Sequence, residues 1–567
     1  MRLSVISGAV VALILFMPVL YSSYWVPLTT DDLEVSLVVR DPTGEPDTVI
    51  PSLLGASIDW PDNAYGLYDP QRGLFNPTPV GELIGLDPSY LRFPAGQLSQ
   101  KYDWIEGVGI VDNRGKNPVY GGGAQFSLFG TDEFFKLVDY ADASAVMVTN
   151  TNTGTAELAR DWVSYCNDPS DRMLGRERAA NGYPTPYGIT HWEIGYEPYR
   201  SSYWKNAPDT EIGYGAEYAN MLKDYSLLMK TVDPSIKVGA WMVLDPDLER
   251  SSADVNWNIN FLDEIAGLKP DIEGPDKPYY YYDYVVVKVN LPSIESLMNF
   301  GDLYTYSYAD VYASLSEDLR DLRKLIDKMD HREGSIPIPL AIAFYEPFYG
   351  EEAWNIPVPA NAGSALITAD MAMQFLGIAL RNGVRSVEYA CFGQLNTPTY
   401  SALMINPDFE QVHVDTWRRS PSYFAFQMCT ELQGGKPLGI SDLHPITFDV
   451  LTEKELQGYK DVPVVSAIGS LVSESETIKI LLVNRDLDRE VICNINLEIE
   501  GLTGPMQVST RTIHFDSILS NNLAGSVVTS PLPTTTDAKT FKPPDFKITL
   551  PIAGVVLVTI EPKPEGT

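Results

Sequence analysis

Histidine and cysteine are the scarcest chemistry-bearing residues of this chain, five and four among 567 residues. No HExxH, no paired His and no CxxC occurs, so no catalytic metal, metal cluster or cofactor is expected. Cys166, Cys391, Cys429 and Cys493 lie far apart, and their spacing does not decide between two disulfides and free thiols. Positive charge is also short: 41 Lys and Arg against 75 Asp and Glu give a formal net charge of -34. Electrostatic repulsion excludes nucleic acid and an anionic lipid surface as partners, and leaves neutral ligands and cationic partners. There is no Asn-x-Ser/Thr acceptor with x other than Pro, no solenoid repeat and no long low-complexity segment.

A hydrophobic share of 44% and an aromatic share of 11%, with 32 Tyr and 10 Trp, are those of a folded globular chain. Its length exceeds one average domain and suits a barrel of ~250 or more residues plus a β-domain of ~100. Residues 3–21 form an almost unbroken apolar run, so 1–24 reads as a signal peptide or a helical membrane anchor. No clean cleavage site follows, and Tyr21, Tyr24 and Trp25 suit a membrane interface. Either reading places the remainder outside the cytoplasm, extracellular or at the cell surface. Residues 33–40 alternate and run into Asp41-Pro42-Thr43-Gly44, which reads as an edge strand within a leading segment 33–48.

From Ile50 onward short apolar runs alternate with helix-length segments, the pattern of βα repeats. Eight strands are expected near 50–58, 89–93, 144–149, 188–194, 236–243, 283–289, 338–344 and 386–392. Helices are expected over 132–142, 216–232 and 360–381, the last stopping at Asn382-Gly383. The fold predicted is therefore α/β: a (β/α)8 barrel over 49–432, then a β-sandwich over 433–562, where Val, Ile and Thr runs are broken by Gly and Pro.

In such a barrel the chemistry sits where strands end. The stretch His191-Trp192-Glu193-Ile194-Gly195-Tyr196-Glu197-Pro198-Tyr199 is a buried strand running into a loop with two carboxylates. It resembles the Trp-Glu-Ile-Gly-Asn-Glu-Pro signature of clan A glycoside hydrolases, in particular the α-L-arabinofuranosidases of family 51. Two further stretches are similar to that family: Leu91-Arg92-Phe93-Pro94-Ala95-Gly96-Gln97 with Tyr102-Asp103-Trp104, and Asn152-Thr153-Gly154-Thr155 with Trp162-Val163-Ser164-Tyr165-Cys166-Asn167. The resemblance covers about residues 50 to 400. It implies that Glu197 holds the acid/base position and that Arg92, Gln97, Trp104, Asn152, Tyr196, Lys288 and Phe344 line the substrate site.

The same resemblance exposes departures. Aligning Pro347-Phe348-Tyr349-Gly350 puts Phe344 where strand seven supplies the nucleophilic Glu, and Phe has no lone pair with which to attack. Lys288 stands where strand six supplies a His, Tyr196 replaces the Asn before the acid/base, and Ala95 and Gln97 replace Gly and Asn. Glu193, inside its strand, reads as an internal hydrogen-bonding residue, and Glu197 as either a catalyst or a paired carboxylate. The reading is an exported, catalytically degenerate relative acting as a scaffold, an assembly subunit with itself or other surface proteins, or a glycan binder. The alternative is an active retaining glycosidase with Glu197 and, two residues beyond Phe344, Glu346 as a displaced nucleophile. The Tyr279–Tyr282 run and Tyr304, Tyr306 and Tyr308 suit packing or an interface more than sugar stacking.

Overall fold

The computed structural model describes residues 33–42, 48–200, 215–244, 257–268, 281–289, 307–330, 337–345, 362–380, 386–397, 403–406, 417–450, 458–472, 475–502, 504–514, 534–536 and 539–563. The N-terminal apolar run, Glu346, Tyr279, Tyr280, Tyr304 and Tyr306 lie outside them.

Strand β1 (Leu33–Pro42) precedes the barrel. The barrel strands are β2 (Leu54–Ser57), β3 (Tyr90–Phe93), β4 (Ser144–Thr149), β5 (His191–Ile194), β6 (Lys237–Trp241), β7 (Tyr284–Val289), β8 (Leu340–Tyr345) and β9 (Val387–Phe392). They close into one barrel, each parallel to its neighbours. Each falls inside or within a residue of the expected span. Their sequences are near-continuous apolar runs because helices cover the outside while side chains fill the inside. In β8 all of Leu-Ala-Ile-Ala-Phe-Tyr is buried, and in β7 only Lys288 is half-buried.

The C-terminal strands are β10 (Lys436–Asp442), β11 (Val465–Val472), β12 (Thr477–Asn484), β13 (Val491–Glu498), β14 (Met506–Ile513), β15 (Asp545–Leu550) and β16 (Val555–Pro562). With β1 and two short strands they make a ten-stranded hydrogen-bonded path, β14-β16-β12-β11-β10-β1-β13-β15 through its centre. The path turns at β10, whose Lys436 and Pro437 pair with β11 while Leu438–Asp442 pair with β1. Val35 and Leu37 of β1, Ile480 and Leu482 of β12, Cys493 and Ile495 of β13 and Val556 and Val558 of β16 then share one core, the interior of a sandwich.

β1 is not an edge strand. It is antiparallel to β10 on one side and parallel to β13 on the other. Its alternation was a sound guide to which face is wet, with Glu34 and Arg40 exposed, but alternation reports the faces of a strand and says nothing about its two hydrogen-bonding edges.

The continuous runs in β12 and β16 have a different origin from β1. Their second faces, Leu481, Val483, Val555 and Leu557, join the barrel's core, so both faces are buried. Between barrel and sandwich lies helix 362–380. It is the one helix among the described residues long and apolar enough to cross a membrane, and 83% of its apolar window is buried inside the protein, which makes it a core helix. Its Asp370 is held by a bidentate pair with Arg485 of the sandwich, at 2.7 and 3.0 Å. All four cysteines are free and buried, and burial pushes their thiols up.

Candidate functional site

Gly195, Tyr196 and Glu197 leave the end of β5 in a tight turn. Gly195 has φ +81, and a Cβ there would lie 2.6 Å from Thr151 Oγ1. Glu197 also has positive φ, +42, a conformation that costs a non-Gly residue of the order of 1 kcal/mol or more. Gln100, from the loop after β3, binds the carbonyl of Tyr196 and accepts from Thr151 Oγ1 at 2.8 Å, which fixes the turn from below.

The turn aims Glu197 into the barrel mouth, where its side chain is 2% exposed. Its carboxylate accepts from Arg200 Nε at 2.9 Å, Tyr199 Oη at 3.0 Å and Lys288 Nζ at 3.4 Å. Lys288 comes from the end of β7 and is paired in register with Phe344 of β8. Its ammonium lies 5.0 Å from the Phe344 ring centroid and 5.9 Å from that of Tyr196. Those two rings meet edge to face at 6.4 Å. Glu197, Lys288, Tyr196 and Phe344 thus form one contact cluster at the carboxyl ends of three strands.

The electrostatics follow from that cluster. Burial pushes the Glu197 carboxyl up, but the Lys288 charge first, then Arg200 with its hydrogen bond and the Tyr199 hydroxyl, hold it below its usual 4.5. A general acid must still carry its proton at working pH, and this environment favours the ionised form. A double displacement also needs a second carboxylate ~5 Å away. Among the described residues, the groups facing Glu197 are two cations, a phenol and an aromatic ring. The pairing has a stability signature: a depressed carboxylate stabilises above its unfolded value and loses that contribution as pH falls through the folded one. The melting temperature of native protein should therefore exceed that of Glu197→Gln near neutral pH, and the gap should narrow as pH drops below 4.5. A gap independent of pH would show that the carboxylate is not held in this way.

One layer deeper, Arg92 and Glu193 are both wholly buried and bind each other through two contacts of 2.7 Å. Tyr389 Oη donates to Glu193 Oε1 at 2.7 Å. Arg92 also lies 5.7 Å from the Tyr196 ring, so it supports the mouth from beneath. Trp104 is buried, stacked on Trp162 at 6.3 Å, with its indole N–H on the Leu158 carbonyl at 2.9 Å. Asn152 is half-buried and Gln97 exposed. The structure brings together Tyr196, Glu197, Lys288 and Phe344, sets Arg92 beneath them, and leaves Gln97, Trp104 and Asn152 outside that cluster. Tyr281, Tyr282 and Tyr308 are core residues.

Asp59 was not singled out in sequence, although it directly follows the first expected strand and strand ends are where chemistry collects. It is wholly buried, and desolvation pushes its carboxyl up to about 7 against the pull of Trp60 N–H, Tyr120 and Arg92. Ser57 Oγ, Trp60 Nε1, Arg92 Nη1 and Gln394 Oε1 are buried polar atoms with no protein hydrogen bond.

The closed parallel barrel joined to a β-sandwich is the fold of the arabinofuranosidase structures on which this chain superposes. The model of the α-L-arabinofuranosidase 1 domain matches residues 82–280, so that stretch of the chain is arabinofuranosidase-like. A probable α-L-arabinofuranosidase C from Aspergillus fumigatus is 33% identical over 179 residues, 30% of this chain and 34% of the relative. The match thus spans about a third of that relative's length. An intracellular exo-α-(1→5)-L-arabinofuranosidase from Bacillus subtilis is 24% identical over 70% of this chain and 73% of its own length. The family 51 α-L-arabinofuranosidase structure from Thermotoga petrophila superposes with a TM-score of 0.72 at 20% identity, covering 93% of this chain and 100% of that one.

Proposed function

We propose that this protein is a catalytically silent relative of the arabinofuranosidases that binds a glycan without cleaving it. The observation that carries the reading is the ammonium of Lys288 set on Glu197 between the rings of Phe344 and Tyr196. A positive charge occupies the place where a glycosidase must gather positive charge on the sugar, and a hydrocarbon ring stands where the attacking carboxylate belongs. Losing a nucleophile of this kind removes on the order of 10⁴ or more in rate. The unpartnered polar atoms of Ser57, Trp60, Arg92 and Gln394 support a retained grip on a polyhydroxy ligand, since such groups are costly to bury unless something hydrogen-bonds them. The apolar N-terminal segment supports display outside the cytoplasm, through export or a membrane anchor, with assembly on other surface proteins as the context of use. Calorimetry with arabino-oligosaccharides tests the reading. Binding heat is expected, with every oligosaccharide recovered intact after prolonged incubation. Shortened products, absent with Glu197→Gln, would establish a hydrolase; absence of both binding and products would remove the glycan from the account.

A further inference from the structure

Lys288 is held more loosely by Glu197 than the other two donors are. Arg200 Nε and Tyr199 Oη both give to Glu197 Oε1, at 2.9 and 3.0 Å, whereas Lys288 Nζ stands off from Oε2 at 3.4 Å. An ammonium has three N–H donors and no acceptor role. Among the described residues Glu197 is the one hydrogen-bond acceptor of Lys288, and its remaining contacts are the ring faces of Phe344 at 5.0 Å and Tyr196 at 5.9 Å. Ring faces attract the charge and leave its other N–H groups without an acceptor. The side chain is only 17% exposed, so water reaches it through a narrow opening.

A second donor lies beside the same Tyr196 ring. Arg92, 5.7 Å from its centroid, gives Nε and Nη2 to Glu193, while its Nη1 is buried with no protein hydrogen bond. Trp60 Nε1, three residues past the end of β2, is another buried N–H without an acceptor. The carboxylates at this end of the barrel are already engaged: Glu197 by three donors, Glu193 by Arg92 and Tyr389, and Asp59 by the Trp60 N–H and the Tyr120 hydroxyl. What remains unmet is therefore mostly donors, one of them an ammonium and one a guanidinium. Gln394 Oε1, an acceptor, and Ser57 Oγ, which serves either way, suit the hydroxyls of a sugar.

We propose that the glycan taken at this mouth carries a carboxylate, as a uronic acid residue does, and that Lys288 is the residue that selects it by donating to that carboxylate. The proposal rests on the glycan-binding reading above and adds the chemical class of the ligand. The chain's net charge of -34 does not forbid a ligand with one negative charge, because at 0.15 M salt distant surface charges are screened beyond ~8 Å while Lys288 is in contact. Calorimetry at that salt concentration compares an aldobiouronic disaccharide, which has one carboxylate, with its methyl ester and with neutral arabino-oligosaccharides. Native protein should hold the acid about tenfold tighter than the ester or better, the effect of one charge-assisted hydrogen bond. Lys288→Met keeps the apolar stem and leaves Glu197 with Arg200 and Tyr199, so it should abolish that preference and still bind the ester. Lys288→Arg should retain the preference. If Lys288→Met does not fold, Lys288→Gln carries the same expectation. Equal affinity of native protein for acid and ester overturns the proposal, and the glycan-binding reading then stands without it. A preference undiminished by loss of the Lys288 charge overturns it as well. Native protein that binds none of the three ligands removes both.

Discussion

The triple variant Phe344→Glu, Tyr196→Asn, Lys288→His is expected to hydrolyse an aryl α-L-arabinofuranoside at a weak but measurable rate, and the native protein is expected to show none. Phe344 is in register with Lys288 and touches Tyr196, so a carboxylate built at 344 enters the space beside Glu197. Phe344→Glu alone should stay inert, because Lys288 would lie between two carboxylates and hold both ionised. Lys288→His removes that clamp and lets Glu197 regain a proton, and Tyr196→Asn puts back the Asn that precedes the acid/base in the signature this stretch resembles. The gain is limited by a surrounding shell that no longer holds these groups within about 0.5 Å of productive geometry. Initial rates of aryl alcohol release across the three single variants and the triple variant check this. Full activity from Phe344→Glu alone, or none from a folded triple variant, would show that the cluster is not a refilled catalytic site.

Glu193→Ala is expected to cost about 3–5 kcal/mol of stability. The substitution strands the Arg92 guanidinium, which is wholly buried, and removes the acceptor of Tyr389 Oη. Breaking a buried pair is far worse than replacing both members, since what remains is an uncompensated charge. Arg92→Met with Glu193→Leu should therefore lie much closer to native stability than Glu193→Ala does. Urea unfolding of the two variants separates these cases. Equal losses would mean that packing volume, not the buried charge, sets the cost.

The eight barrel strands were legible because a strand buried on both faces must be apolar throughout, and runs such as Tyr284–Val289 and Leu340–Tyr345 are too short for helices. The parts of the site that lie on strand ends, Glu197, Lys288 and Phe344, could be placed by position in the barrel. Their mutual contact could not, because it depends on the register between β7 and β8 and on the left-handed turn at Glu197. The placing of β1 inside its sheet was hidden for the same reason: the partners on the two edges of the strand come from β10 and β13, at the far end of the chain. Trp104 and Asn152 were assigned to the site from their motif, yet the indole of Trp104 points its N–H at a neighbouring carbonyl, and motif spacing carries no record of side-chain direction. Asp59 was missed because a single Asp after a strand is indistinguishable in sequence from a turn residue. Its distinction is burial.

The most direct test of the central claim is turnover of nitrophenyl α-L-arabinofuranoside by the native protein. Nitrophenolate leaves readily without protonation, so the assay is insensitive to the ionised state of Glu197 and asks whether any nucleophile faces the sugar. The account predicts no nitrophenol release above the buffer rate and no burst at high protein concentration. Steady release by native protein, abolished by Glu346→Gln, would contradict it and place the nucleophile two residues beyond Phe344.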